Sequence, residues 1–236
     1  QDVGKAVQIA LDDQRQKIGA LYEKRMVRAL SEQWPESTPS QDQHKFASAT
    51  VLYADMRDYG LWTQTLSSTE FSEIVQQLYG SVGDTVYLFG AHTMQFVGSG
   101  MLCVFVDAAD THSVNHGLRA VRAALGLANA TRRIDAYVQK QWADRQLPKF
   151  SLGVALHSGP VTFASLDGLI SRTGQTTPVG DTVAAALKLF QGEPRLDWTV
   201  AASVQAVRLV TGAVRTGQRA LVQVPGRISP MDTLEI

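Results

Sequence analysis

The run Ala49-Thr-Val-Leu-Tyr-Ala54, closed by Asp55, constrains the fold more than any other stretch of this chain. It is apolar or β-branched at successive positions, with none of the polar alternation of a strand that faces water on one side. Such a run fits a central strand that delivers a carboxylate at its C-terminal end.

The pattern that follows mixes strands and helices. Ser67-Ser-Thr-Glu70 is a capping box, after which Phe71, Ile74, Val75, Leu78, Val82, Val86 and Phe89 keep helical period until Gly90. Thr93 to Val97 and Met101 to Asp107 flank Gly98-Ser99-Gly100, a short glycine-rich turn that predicts a β-hairpin. A long alanine-rich helix is expected over Asp110 to Asp144, then a strand at Phe150 to Leu156 with a second hairpin partner at Pro160 to Ala164. A helix over Asp181 to Phe190, a strand over Trp198 to Ala202, a short helix to Thr211 and apolar runs at Ala220 to Val224 and Met231 to Ile236 complete the chain. This order predicts an α+β fold, a mostly antiparallel central sheet covered on one face by helices.

Ahead of that domain, residues 3–30 repeat Val7, Leu11, Ile18, Leu21, Met26 and Leu30 at helical spacing, with Gln14 and Arg25 interrupting the seam. The division expected is an amphipathic helix over 1–34 that serves dimerisation or signal relay, a polar linker over 35–45 with Pro35 and Pro39, and a globular domain over 46–236. The start lacks methionine, which suggests a piece of a longer protein with an upstream sensor or membrane domain.

Charge and cysteine content exclude several classes. Lys plus Arg and Asp plus Glu both number 22, so no net field recruits nucleic acid or an acidic membrane surface. Cys103 is the single cysteine and lies in an apolar run, so it reads as a small buried hydrophobe in a reducing cytosol. No apolar stretch reaches the roughly 18 residues of a membrane span, and the N-terminus is no signal peptide. The expected location is cytoplasmic, including as the cytoplasmic part of a membrane-anchored protein.

Generic catalytic motifs are missing. The Gly98-Ser99-Gly100 turn has no following Lys-Ser/Thr, so it is no phosphate-binding Walker loop, and no Gly-x-Ser-x-Gly elbow occurs. His112 and His116, spaced i, i+4 beside Asp110, fit either part of a metal site or solvated first-turn residues, and the missing third ligand favours the second. His157, before Ser158-Gly159-Pro160, reads as a turn-capping histidine rather than a general base.

Four blocks in order carry a more specific signal. Thr50-Val-Leu-Tyr-Ala-Asp-Met-Arg57, Gln95-Phe-Val-Gly-Ser-Gly100 followed by Val104-Phe-Val, Leu156-His-Ser-Gly-Pro-Val161, and Val179-Gly-Asp-Thr-Val183 with Ala186 resemble successive signatures of the class III adenylyl/guanylyl cyclase catalytic domain. The tail Val224-Pro-Gly-Arg-Ile-Ser-Pro resembles the closing strand region of the same family. The resemblance implies a ferredoxin-like fold whose copies pair head to tail as a homodimer, with a purine nucleoside triphosphate cyclised between them on two divalent cations, Mg²⁺ or Mn²⁺.

Carried over residue by residue, the resemblance implies a degenerate site. The first metal aspartate falls on Asp55, while the second falls on Ser99, a neutral hydroxyl. The base-reading lysine falls on Gln95 and its companion on Thr177. The ribose-orienting asparagine falls on Ala184 and the transition-state arginine on Lys188, which keeps charge and loses the planar fork. Asp58 replaces a glycine in the turn that meets the phosphates, where a carboxylate repels them. A lost preorganised donor costs about 3 kcal/mol, so Ala184 and Lys188 together imply a loss of about 10⁴-fold in turnover. Asp55 has an alternative reading, an ion pair with Arg57 or a turn cap, and Asp181 reads as a helix-start residue. The expectation is a dimerising and nucleotide-binding regulatory module without turnover. The alternatives are an active adenylate or guanylate cyclase and a scaffold that pairs with another cyclase or effector.

Overall fold

β1 (Lys45–Met56) is paired antiparallel on one edge with β3 (Gly100–Val106) and on the other with β4 (Leu152–Ser165), which places Leu52 between Cys103 and Leu156. It is thus the central strand that its apolar run predicts, and Ala49, Val51 and Leu52 are fully buried. The structure, a computed structural model, describes residues 45–97, 99–107, 114–165 and 176–236. The amphipathic helix and polar linker expected before residue 45, together with His112, lie outside the described residues.

α1 (Tyr59–Thr65) and α2 (Ser68–Leu88) follow β1. The capping box forms at α2: the Ser67 hydroxyl accepts from the Glu70 backbone N–H, and the Glu70 carboxylate accepts from that of Ser67 at 2.8 Å. β2 (Thr93–Val97) returns to pair with β3, and α3 (His116–Gln141) opens on an Asn115 side chain that accepts from Leu118 N–H. After β4 come β5 (Thr176–Val179), α4 (Asp181–Lys188), β6 (Val200–Ser203), α5 (Val204–Arg208), β7 (Arg219–Val222) and β8 (Met231–Glu235). The sheet order is β2-β3-β1-β4-β6-β8-β7, with β5 added to β4, and among the described residues only the β4–β6 pair is parallel.

Alternation along β1 sorts the core into two layers. Leu52, Ala54 and Met56 join Cys103 and Phe105 beneath Ile74, Leu78, Val82 and Val86 of α2 and Ala120, Ala124 and Leu127 of α3. Val51 and Tyr53 join Leu102 and Val104 on the opposite face beneath Val183 and Ala186 of α4. The helices therefore cover both faces, where the sequence pattern suggested one. The reason is that α4, short as it is, turns Val183 and Ala186 to the second layer. Each fully buried aliphatic side chain contributes about 1.5–3 kcal/mol, and Leu52→Ala is expected to cost about 2–5 kcal/mol.

The hairpin expected to break between Leu156 and Pro160 is instead one continuous strand, β4. Pro160 is tolerated because it lies opposite the irregularity in β1, where the register jumps from Phe46↔Val161 to Ala49↔Gly159 and no ladder donor is required. His157 consequently sits within the strand rather than in a turn. Cys103 is buried as expected, and burial pushes its thiol up.

Candidate functional site

Asp55 closes β1 with Gly100 on one side and Gly153 on the other. The approach of β3 is close: a Cβ at position 100 would stand 2.5 Å from the Tyr53 hydroxyl oxygen and 2.7 Å from the Ala54 carbonyl, so glycine is required there. The turn before it bends Ser99 over the strand end, and the Ser99 hydroxyl donates to Asp55 Oδ1 at 2.6 Å. Tyr53 adds a second tie by donating to the Val97 carbonyl at 3.2 Å. Burial, then the Asp55 carboxylate, then Tyr79 push the Tyr53 phenol up to about 12, so it remains a donor across the physiological range.

Arg57 does not pair with Asp55. Its guanidinium donates to the backbone carbonyls of Asp197, at 3.0 Å, and Trp198, and lies over the Phe190 ring. The ion-pair reading of Asp55 is thereby corrected: Arg57 binds the chain that enters β6. Asp58 has a left-handed backbone, φ 55° and ψ 28°, which Asp tolerates better than most side chains; it is exposed and makes no side-chain cap for α1.

Gln95 on the edge strand β2 and Thr177 on β5 meet across the second face, where Gln95 Nε2 donates to Thr177 Oγ1 at 3.1 Å. Ala184 and Lys188 lie one turn apart on α4, and both are exposed. Asp181, at the start of α4, pairs with Arg227 at 2.6 Å, a partner that its place at a helix start does not reveal.

Two of the described histidines, His116 and His157, are core groups. His116 is 2% exposed, and its two ring nitrogens meet Thr50 Oγ1 at 2.7 Å and Ser48 Oγ at 3.0 Å. Thr50 continues to Ser158 Oγ at 2.7 Å, and the Asp107 carboxylate accepts from the His116 backbone N–H. This overturns the solvated first-turn reading of His116, because β1 offers its buried ring two hydroxyls, that of the buried Thr50 and that of Ser48 at the surface. His157 Nδ1 contacts Ser203 Oγ at 2.8 Å, and burial, followed by Arg227, holds its ring down at about 4, against a smaller opposing pull from Asp181.

These elements define the class III nucleotidyl cyclase catalytic fold, and the comparisons with solved structures agree. The chain superimposes on the guanylyl cyclase Cya2 with a TM-score of 0.67 at 19% identity, covering 80% of this chain and 91% of that one. For the adenylyl cyclase CyaB from P. aeruginosa the TM-score is 0.66 at 14% identity, covering 79% and 92%. The guanylate cyclase domain of RhGC from Catenaria anguillulae, solved in complex with GTP, gives 0.61 at 21% identity, covering 80% and 96%. At such identities these likenesses establish the fold. In sequence, the chain is 24% identical over 140 residues to an adenylate cyclase of Anabaena cylindrica, which is 59% of this chain and only 26% of that relative's length. No protein-family model matches the chain.

The donor set fits a cyclase metal pair poorly. Mg²⁺ takes hard oxygen ligands in near-octahedral geometry and relies on carboxylates and substrate phosphates. Asp55 is the one carboxylate at this strand end that the resemblance assigns to a cation, and its Oδ1 already accepts from Ser99. Among the described residues, no group of three His, Cys, Asp or Glu side chains is placed to hold a metal ion.

Proposed function

We propose that this chain is a degenerate class III cyclase domain that acts as a dimerising, nucleotide-responsive regulatory module in signal transduction and does not turn over nucleotide at a useful rate. The observation that carries this reading is the Ser99–Asp55 hydrogen bond, which sets a neutral donor at the position that the family resemblance gives to the second metal carboxylate. Ala184 and Lys188 support it, since neither the amide nor the guanidinium fork of the resemblance is available on α4. Gln95 and Thr177 keep polar atoms for a purine edge, so nucleotide binding without cyclisation is part of the proposal. The metal bound with such a nucleotide would be Mg²⁺ or Mn²⁺ carried on its phosphates. Pairing is head to tail between two copies, at the output end of a longer protein, with the helix expected over 1–34 coupling the input and the location cytoplasmic.

The test is a cyclase assay with ATP and GTP, each with Mg²⁺ and with Mn²⁺, at protein concentrations high enough for dimers. The proposal expects turnover at the no-protein background and a calorimetric binding signal for the nucleotide. Turnover abolished by Asp55→Ala would overturn it in favour of an active adenylate or guanylate cyclase. Absence of nucleotide binding together with dimerisation would leave a scaffold for another cyclase or effector.

A further inference from the structure

We propose that the Ser99–Asp55 hydrogen bond replaces a divalent cation as the element that holds the β2–β3 turn to the end of β1, so that this domain completes its strand end without metal and residue 99 alone decides between the two arrangements. The inference rests on the proposed function in placing the family's cation site here, but its own content is structural. At 2.6 Å the contact lies within the ~2.5–2.7 Å typical of a hydroxyl donating to a carboxylate, among the stronger protein hydrogen bonds. Serine has one hydroxyl proton, and it is committed to Asp55. A cation that took Ser99 Oγ together with Asp55 as ligands would have to turn that proton away from the carboxylate and accept a neutral oxygen in place of a charged one.

The surroundings explain why a neutral group stabilises the turn. Gly100, with no side chain, lets β3 approach β1 closely beside Asp55. Tyr53 holds Val97 on the other arm of the hairpin. With both arms fixed, the side chain at 99 stands over the carboxylate whatever its identity. A second carboxylate there would face the first across a few ångströms in a part-buried setting, where like charges strongly disfavour joint ionisation unless a cation lies between them. The hydroxyl removes that requirement by turning a repulsive pair into a donor–acceptor pair.

The experiment uses the full chain without nucleotide. Thermal melts of the wild type, Asp55→Asn, Ser99→Ala, Ser99→Asp and Ser99→Asp with Asp55→Asn are recorded in EDTA and in millimolar Mn²⁺, with Mn²⁺ binding followed in parallel by electron paramagnetic resonance. The wild type is expected to melt at the same temperature in both buffers and to leave the Mn²⁺ signal that of the free ion. Ser99→Ala is expected to lower Tm by ~2–4 °C, the effect of about one hydrogen bond in a domain of this size, with no response to Mn²⁺. Ser99→Asp is expected to melt lower in EDTA and to recover by ~5–10 °C at a hundredfold excess of Mn²⁺ over Kd, a recovery lost with Asp55→Asn.

A Mn²⁺ response of the wild type that Asp55→Asn removes would overturn the inference, as would a Ser99→Ala Tm equal to that of the wild type. If Ser99→Asp fails to fold, the wild-type and Ser99→Ala arms decide alone. The two proposals fail separately. Mn²⁺ binding without turnover removes the metal-free turn and leaves the regulatory module, whereas turnover by a protein that binds no free Mn²⁺ removes the module and leaves the turn.

Discussion

Gln95 Nε2 donates to Thr177 Oγ1 at 3.1 Å, joining the edge strand β2 to the β4–β5 ribbon across the second face of the sheet. The pair is neutral and half-buried, so its net worth is that of an ordinary hydrogen bond, about 0.5–1.5 kcal/mol. Thr177→Val is expected to lower the stability of the domain by about 1 kcal/mol in urea unfolding. In a double-mutant cycle with Gln95→Ala the two losses should be less than additive, because each variant removes the same bond. Full additivity would mean that the two side chains do not interact in solution.

A larger effect is expected at Thr50. Its hydroxyl lies between His116 Nδ1 and Ser158 Oγ at 2.7 Å from each, and the residue is fully buried. Thr50→Val preserves shape and removes both bonds, leaving the buried His116 nitrogen and the Ser158 hydroxyl each short of this partner. The expected loss is about 1–3 kcal/mol. Thr50→Ser, which restores the hydroxyl and leaves a methyl-sized gap, should lose less. Urea midpoints of the two variants measure the difference, and equal midpoints would show that the hydroxyl contributes nothing beyond packing.

This network also marks where the sequence stopped being informative. The central strand, the capping box at Ser67 and the β2–β3 hairpin were legible because each is written in neighbouring residues: an apolar run, a Ser-x-x-Glu spacing, a Gly-Ser-Gly turn. Asp55 at the end of β1 was legible for the same reason. The partners were not. Ser48, Thr50 and Ser158 meet His116 or one another only once β1, α3 and β4 are packed, and Arg57 finds its carbonyls in the chain leading to β6. A strand's hydrophobic pattern also could not say that β4 would pass through Pro160, because the irregularity in β1 that makes this possible is a property of the pair and not of either strand.

The buried histidines are expected to weaken the fold in acid. The folded His157 ring is held down at about 4 and the unfolded value is close to the ordinary one, so folding favours the neutral ring. The corresponding stability is complete above pH ~6.5 and is lost as pH falls from there towards ~4, by up to about 3 kcal/mol. Burial lowers His116 as well, against an opposing pull from Asp107, so its contribution has the same sign. Urea midpoints measured from pH 7.5 to 4 should therefore fall, and His157→Asn should flatten part of that fall. An unchanged slope in the variant would assign the acid limb to groups other than His157.

Gly100→Ala probes the close approach that brings Ser99 over Asp55. The added methyl would stand 2.5 Å from the Tyr53 hydroxyl oxygen, 2.6 Å from Tyr53 Cζ and 2.7 Å from the Ala54 carbonyl, so side chain and backbone must both move. Overpacking of this kind costs about 1–3 kcal/mol. Tyr53→Phe in the same chain removes the nearest atom, yet the ring carbon and the carbonyl remain, so the rescue should be partial. Complete rescue in thermal melts would mean that the strand backbones separate more easily than the register of β1 and β3 implies.

Rebuilding α4 tests how much of the proposed inactivity lies there. Ala184 and Lys188 are exposed and one turn apart, so Ala184→Asn with Lys188→Arg should change stability by no more than about 0.5 kcal/mol while restoring the amide and guanidinium fork that the cyclase resemblance expects. On its own the pair is expected to leave turnover at background, because the strand end still presents one carboxylate closed by a hydroxyl. Groups that act as a unit in catalysis are strongly non-additive, and a transition-state donor cannot help a reaction that lacks its metal. Only with Ser99→Asp added, and Mn²⁺ present, should cyclic nucleotide form above background from ATP or GTP. Product from the α4 variant alone would place the decisive loss on the helix rather than at residue 99, and product from Ser99→Asp alone would show that Ala184 and Lys188 are sufficient as they stand.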